Sequence, residues 1–208
     1  MRTICLASTK GGVGKTTLAA ALAIEAMGEG NKVALIDADP QQSLSTWHDA
    51  RGEQDNPALI GGKNEAIKAR HDAAKRSGYD ICFIDTPPAM IGVIEPCVRL
   101  SEFVVVPVRP SPLDIDAVGT IHELCEEQKR PFMFVLNQTT ARSAFTEQAA
   151  KLLRKDGTVF DGEIVARMSY VMAMVRGLTA PEIDRSNAQS HEEIAALWKA
   201  IKRRLPKL

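Results

Sequence analysis

Six short apolar runs punctuate the chain: TICLAS (3–8), KVALID (32–37), DICFID (80–85), FVVVPV (103–108), FMFVLN (132–137) and a weaker EIVARM (163–168). Each is too short for a globular helix and nearly continuous in its apolarity, the pattern of strands covered on both faces in a parallel sheet. Between them, helical periodicity predicts helices over TTLAAALAIEAMGEG (16–30), QQSLSTWHDAR (41–51), NEAIKARHDAAKR (64–76), DIDAVGTIHELCEEQ (114–128) and AFTEQAAKLLRKDG (144–157). The first of these is apolar on nearly every side and is expected to lie buried against the sheet. Repeated βα alternation predicts a doubly wound α/β fold with a mostly parallel sheet, and a single domain over 1–208 with no linker or repeat. Near the end, IAALWKAIKRRL places Ile194, Leu197, Trp198, Ile201 and Leu205 on one helical face. A last helix packed on the sheet is the preferred reading, although a membrane-surface helix carries the same stripe.

The chain has 208 residues, enough for a core that needs no disulfide or metal. Its 26 basic and 26 acidic side chains cancel, which by itself predicts no polyanionic partner. The distribution changes that picture. Residues 1–141 carry 14 Lys/Arg against 18 Asp/Glu, a net −4, while 142–208 carry 12 against 8, a net +4. The four cysteines form no C-x-x-C pair, and Cys5 and Cys82 fall inside strand runs, so buried, reduced thiols in a reducing cytoplasm are expected. No apolar run is long enough to cross a bilayer, and MRTICLAS leads straight into the first loop without a leader-like stretch.

That loop is STKGGVGKTT, residues 8–17. It meets the phosphate-loop pattern G-x-x-x-x-G-K-[ST] at Gly14, Lys15 and Thr16, but threonine stands at position 9 and an extra cation, Lys10, follows it. Gly11, Gly12 and Gly14 let successive backbone N–H groups, those of Val13 and Thr17 among the neighbours, converge on one anion at a helix N-terminus. Lys15 is placed to reach the β- and γ-phosphates, and the Thr16 hydroxyl to ligate Mg2+. Three acids sit at strand ends: Asp37 and Asp39 in LIDADPQ, and Asp85 in CFIDTPP. Such a strand-end carboxylate holds Mg2+, usually through water.

KGGVGKTT resembles the deviant phosphate loop of the ParA/MinD ATPases, and the resemblance runs over essentially the whole chain. DADPQQSLSTW looks like that family's switch segment, DTPP like its Walker B turn, VPVRPSPLD like the loop after its next strand, and LNQ like its adenine-side segment. It is nearest to the small plasmid-partition members, which begin at the phosphate loop and lack a helix-turn-helix domain. The resemblance implies a P-loop NTPase fold with ATP and Mg2+ as cofactors. It implies Lys10 and Lys15 as catalytic cations, Lys10 acting across an ATP-sandwiched homodimer, with Asp39 orienting the attacking water. Asp37, Thr16 and Asp85 would serve the metal, and the Asn137 amide would read the base. It further implies slow hydrolysis raised by a ParB-like or cargo-adaptor partner, nucleoid association, and nonspecific DNA binding through Arg167, Arg176, Arg185, Lys202 and Arg203, with Lys199 and Arg204 beside them. The alternatives are a MinD-like membrane-cycling ATPase, an accessory ATPase of T-DNA transfer, and an iron-protein-like electron donor using Cys97 and Cys125. The last is discounted, because EPCVRL and ELCEEQ lack glycine-rich surroundings.

Overall fold

Each strand run pairs with its neighbours in one parallel sheet. The computed structural model describes residues 1–52, 56–62, 65–141, 143–184 and 189–205. From the N-terminus, β1 (Arg2–Leu6) leads to α1 (Lys15–Gly28), β2 (Val33–Asp37) to α2 (Ser43–Arg51), and a short β3 (Ala58–Leu59) to α3 (Ile67–Arg76). β4 (Ile81–Asp85) is followed by α4 (Ile91–Leu100), and β5 (Phe103–Val108) by α5 (Pro112–Asp116) and α6 (Gly119–Glu127). β6 (Phe132–Thr139) precedes α7 (Ala144–Leu153), and β7 (Ile164–Val165) precedes α8 (Met168–Val175), α9 (Ala180–Ile183) and α10 (Gln189–Lys202). The strand order is β3-β2-β4-β1-β5-β6-β7, a doubly wound α/β arrangement.

Alternate side chains of each strand feed opposite layers. Ile4, Leu6, Leu35, Phe83 and Val105 face α1, α10 and the Leu44 and Trp47 side chains of α2. Cys5, Ile36, Cys82, Ile84 and Val104 face the layer of α3, α4, α6 and α7, where Cys97 and Cys125 also lie. This two-sided burial explains why the strands read as unbroken apolar runs. The α1 residues Leu18 to Ala23 are exposed by 2% or less, as their all-round apolarity predicts.

The stripe on α10 is turned inward. Ile194, Leu197, Trp198 and Ile201 are fully buried, and Leu205 nearly so. The Trp198 indole N–H donates to Glu29 Oε2 at 2.9 Å, and its ring centroid lies 6.0 Å from that of Phe83. Packing on the sheet, rather than display toward a membrane, is how this helix uses its apolar face.

The departures from expectation have local causes. The stretch 114–128 is broken at Ala117–Val118 into α5 and α6, with Ser111 capping α5 by accepting from the Asp114 N–H and Pro112 at its first turn. EIVARM pairs over only Ile164–Val165, after a register shift between Asn137 and Thr139. α4 forms around Pro96, where a proline argues against a helix, because Ile94, Cys97 and Val98 bury against the sheet. Trp198→Ala is expected to lower stability by about 3–5 kcal/mol. Urea unfolding checks this, and a loss well under that range would mean α10 docks loosely.

Candidate functional site

The carboxyl ends of β1, β2 and β4 lie side by side, with Asp37 and Asp85 in register across the β2–β4 ladder. The phosphate loop curls over this edge. Gly14 begins α1 with φ of 92°, and a Cβ there would lie 2.2 Å from Asn137 Nδ2, so only glycine fits. Asn137, buried at the end of β6, donates from that nitrogen to the Val13 carbonyl at 2.6 Å. Gln138, with φ of 55°, donates to the Gly12 carbonyl at 2.8 Å. The loop is therefore braced from below by two neighbouring amides. From the other flank, the Thr9 hydroxyl donates to the Ala117 carbonyl at 3.0 Å, so the threonine that replaces the pattern's first glycine ties the loop to the α5–α6 junction.

Lys15 folds back beneath the loop, its ammonium donating to the Lys10 carbonyl at 3.0 Å. Burial lowers its pKa, while the nearby Asp85 and Asp39 carboxylates oppose that shift. The Thr16 hydroxyl donates to Asp85 Oδ2 at 2.6 Å. Asp85 is fully buried, and burial raises its pKa to about 7, with Asp37 and Asp39 adding to the rise and Thr16 and Lys15 resisting it. Its Oδ1 is buried without a hydrogen-bond partner among the described residues. An orphaned carboxylate oxygen beside a threonine hydroxyl fits a magnesium shell of few protein donors.

Asp37 has a different setting. Its Oδ2 accepts from the Ser45 N–H at 2.8 Å and the Ser45 hydroxyl at 2.9 Å, and its Oδ1 from the Asp39 N–H at 3.1 Å. The Arg70 guanidinium donates to the Asp37 carbonyl at 2.8 Å from a buried position on α3. Asp37 thus anchors the switch segment and the start of α2. Asp39 in turn accepts from the Gln41 N–H at 2.9 Å and, with Gln41 and Ser43, forms one wall of a cleft of about 880 Å³. The loop floors this cleft. α8 supplies the apolar side chains Met168, Val171, Met174 and Val175 to the same lining.

A family model for the CobQ/CobB/MinD/ParA nucleotide binding domain matches residues 4–180. The chain belongs to this family. It is similar to the Maintenance of carboxysome distribution protein A of Halothiobacillus neapolitanus, with 29% identity over 203 residues, covering 92% of this chain and 92% of that protein. Its fold matches the MinC:MinD cell division protein complex of Aquifex aeolicus with a TM-score of 0.80 at 21% identity, covering 100% of this chain and 98% of that one. It also matches the septum site-determining protein MinD complexed with Mg-ADP from Pyrococcus horikoshii, with a TM-score of 0.77 at 18% identity over 97% and 96% of the two chains.

Within this MinD/ParA domain, the structure brings Lys10, Lys15, Thr16, Thr17, Asp37, Asp39, Asp85 and Asn137 to one edge of the sheet. The basic candidates do not converge in the same way. Arg167 makes a bidentate pair with Glu193, both contacts at 2.6 Å, which ties the start of α8 to α10. Lys202 is paired with Glu29. Arg176 and Arg203 are exposed, as are Lys199 and Arg204, and Arg185 lies outside the described residues. Cys97 and Cys125 are fully buried, with burial pushing both thiols up to about 12, and neither reaches a surface where a cluster shared between subunits would sit. Sequence reasoning missed Gln138, Arg70 and the α8 wall, of which only Gln138 had a visible signal, as the neighbour of Asn137 in LNQ.

The Asp85 shift has a sign that can be tested. Its folded pKa is raised from 3.8 to about 7, so protonation of this group stabilises the unliganded protein fully below the ordinary value and the contribution is lost as pH rises through about 7. Asp85→Asn removes that dependence. The difference in unfolding free energy between parent and variant, followed by urea titration from acid to neutral pH, is expected to move against the parent as pH rises. A difference independent of pH would overturn the assignment.

Proposed function

We propose that this protein is an ATP hydrolase that dimerises around ATP, binds duplex DNA without regard to sequence in that state, and so positions a cargo. The cargo is a plasmid, a chromosome or a protein assembly, and a ParB-like or adaptor protein raises the rate. The observation that carries the reading is the pair of lysines in the loop. Lys15 is committed inward, whereas Lys10 is half exposed at the cleft rim with no carboxylate at ion-pair distance among the described residues. A cation held there suits the phosphates of a nucleotide bound by a second copy, where it would neutralise charge developed during transfer.

Further support comes from the rim itself. Met90, Leu113 and Phe145 are 45%, 74% and 68% exposed, and all three follow carboxyl ends of strands, on the edge where a second chain would close over the nucleotide. Magnesium would be held by Thr16 and Asp85 and would neutralise phosphate charge when bound. The similar protein named for maintenance of carboxysome distribution supports a role in distributing a cargo. The buried α10 stripe favours DNA over a membrane as the surface used here.

Lys15→Ala is expected to abolish nucleotide binding, while Asp39→Ala retains ATP and stops turnover. Lys10→Ala should bind nucleotide normally and hydrolyse it poorly. Fluorescent-nucleotide binding and phosphate release measure the two properties separately, and parental turnover in the Asp39 variant would remove its water-positioning role.

Duplex binding is expected with ATP and not with ADP. Each phosphate contact should add about 0.9 to the slope of log affinity against log salt. Arg176→Glu and Arg203→Glu should weaken it more than substitution of the ion-paired Lys202. Binding indifferent to nucleotide would count against the positioning cycle, and vesicle binding without DNA binding would favour the membrane-cycling alternative.

A further inference from the structure

The switch segment and the apolar wall of the cleft are joined behind the site by a contact 131 residues long in sequence. α2 begins at Ser43, four residues after Asp39, with its third residue Ser45 fixed by Asp37, and its nine residues run for about 13 Å at the usual helical rise. From the middle of the helix, the Trp47 indole N–H donates to the Leu178 carbonyl at 2.9 Å, and Arg51 stands at its far end. Arg51 donates to the Gly177 carbonyl at 2.9 Å and forks onto Glu182 at 2.8 and 3.1 Å, its guanidinium lying 5.6 Å from the Trp47 ring centre. Glu182 also accepts from the Thr179 N–H and hydroxyl, so the same carboxylate caps α9 and receives Arg51. The approach is backbone against backbone. Gly177 has φ of 65°, and a Cβ there would stand 2.0 Å from the Arg51 nitrogen.

Gly177 lies two residues beyond α8, whose Met168, Val171 and Met174 line the same cleft as the loop. A nucleotide with its phosphates on the loop and its base in the same cleft would meet those α8 side chains. Displacement of α8 therefore transmits to Gly177 and Glu182, from there to Arg51, and along α2 to the segment that carries Asp39. Bidentate guanidinium–carboxylate geometry is directional, so it transmits orientation as well as attraction. We propose that this junction is a latch through which a base seated against α8 sets the position of Asp39, making Arg51 and Glu182 positioning residues for hydrolysis. The inference rests on the ATP hydrolysis proposed above.

The test compares ATP with ribose 5-triphosphate, which carries the same phosphates on a sugar without a base. The parent is expected to turn over ATP at least about tenfold faster at saturation, and Arg51→Ala to bring that ratio within about twofold, mainly through slower ATP turnover. Arg51→Lys, which keeps the charge but not the fork, should fall between them. A loss that slows both substrates equally would be structural damage and would overturn the latch, as would an unchanged ratio. Trp47 gives a second readout that needs no turnover. In a Trp198→Phe background it is the remaining one of two tryptophans, and its emission should respond to ADP but not to pyrophosphate. That response should vanish on Arg51→Ala. A response that survived would overturn the latch, whereas a parent that showed the response but hydrolysed nothing would sink the proposed activity and leave the coupling standing.

Discussion

A lysine ammonium held under a loop of backbone is the constraint around which the rest of this site is organised. Removing an ammonium from water is costly unless opposite charge and hydrogen-bond acceptors replace the lost hydration. Lys15 finds the Lys10 carbonyl above it and the Asp85 and Asp39 carboxylates near it. Those carboxylates in turn must be gathered at strand ends, which the parallel register of β2 and β4 accomplishes by setting Asp37 beside Asp85. A parallel sheet needs helices on both faces, and the first of them must start at the loop. The buried cation, the strand order and the apolar α1 are three expressions of one requirement.

The requirement also explains why electrostatic balance is local in a chain with no net charge. Asp85 resists ionisation chiefly because it is buried and also because other acids lie near it, yet that gathering of acids prepares the edge for a multivalent cation bound with phosphate. Asp37 contributes to that crowding while spending its own oxygens on Ser45 and Asp39. One acid thus shapes the switch, and another keeps an oxygen in reserve.

The parts of this arrangement visible in the sequence were those whose partners lie close along the chain or follow from periodicity. The strands could be read because burial on both faces leaves no polar alternation, and the loop because its glycines and lysines must stand in a fixed order. α3 and the α10 stripe likewise declared themselves by spacing. α8 did not, because MSYVMAMV carries apolar side chains on the face it exposes as well as the face it buries, with Val175 79% exposed. Such a segment offers no contrast for a periodicity argument. Pairings such as Arg167 with Glu193, or Arg51 with Glu182, join residues that the sequence gives no reason to associate. A basic residue read in isolation therefore looks equally ready for a phosphate and for a carboxylate of its own chain, which is why Arg167 and Lys202 looked more available than they are.

All four cysteines lie in the layer between the sheet and the α3–α4–α6 side, and all four are buried. A small electrophile or oxidant in solution meets no thiol on the native surface, so chemical modification must wait until that layer opens. The speed of alkylation under native conditions then becomes a clock for the opening of one particular side of the molecule, independent of the face on which nucleotide binds. The chain carries its own reporter of local unfolding, placed there by nothing more than the packing of small side chains behind the strands.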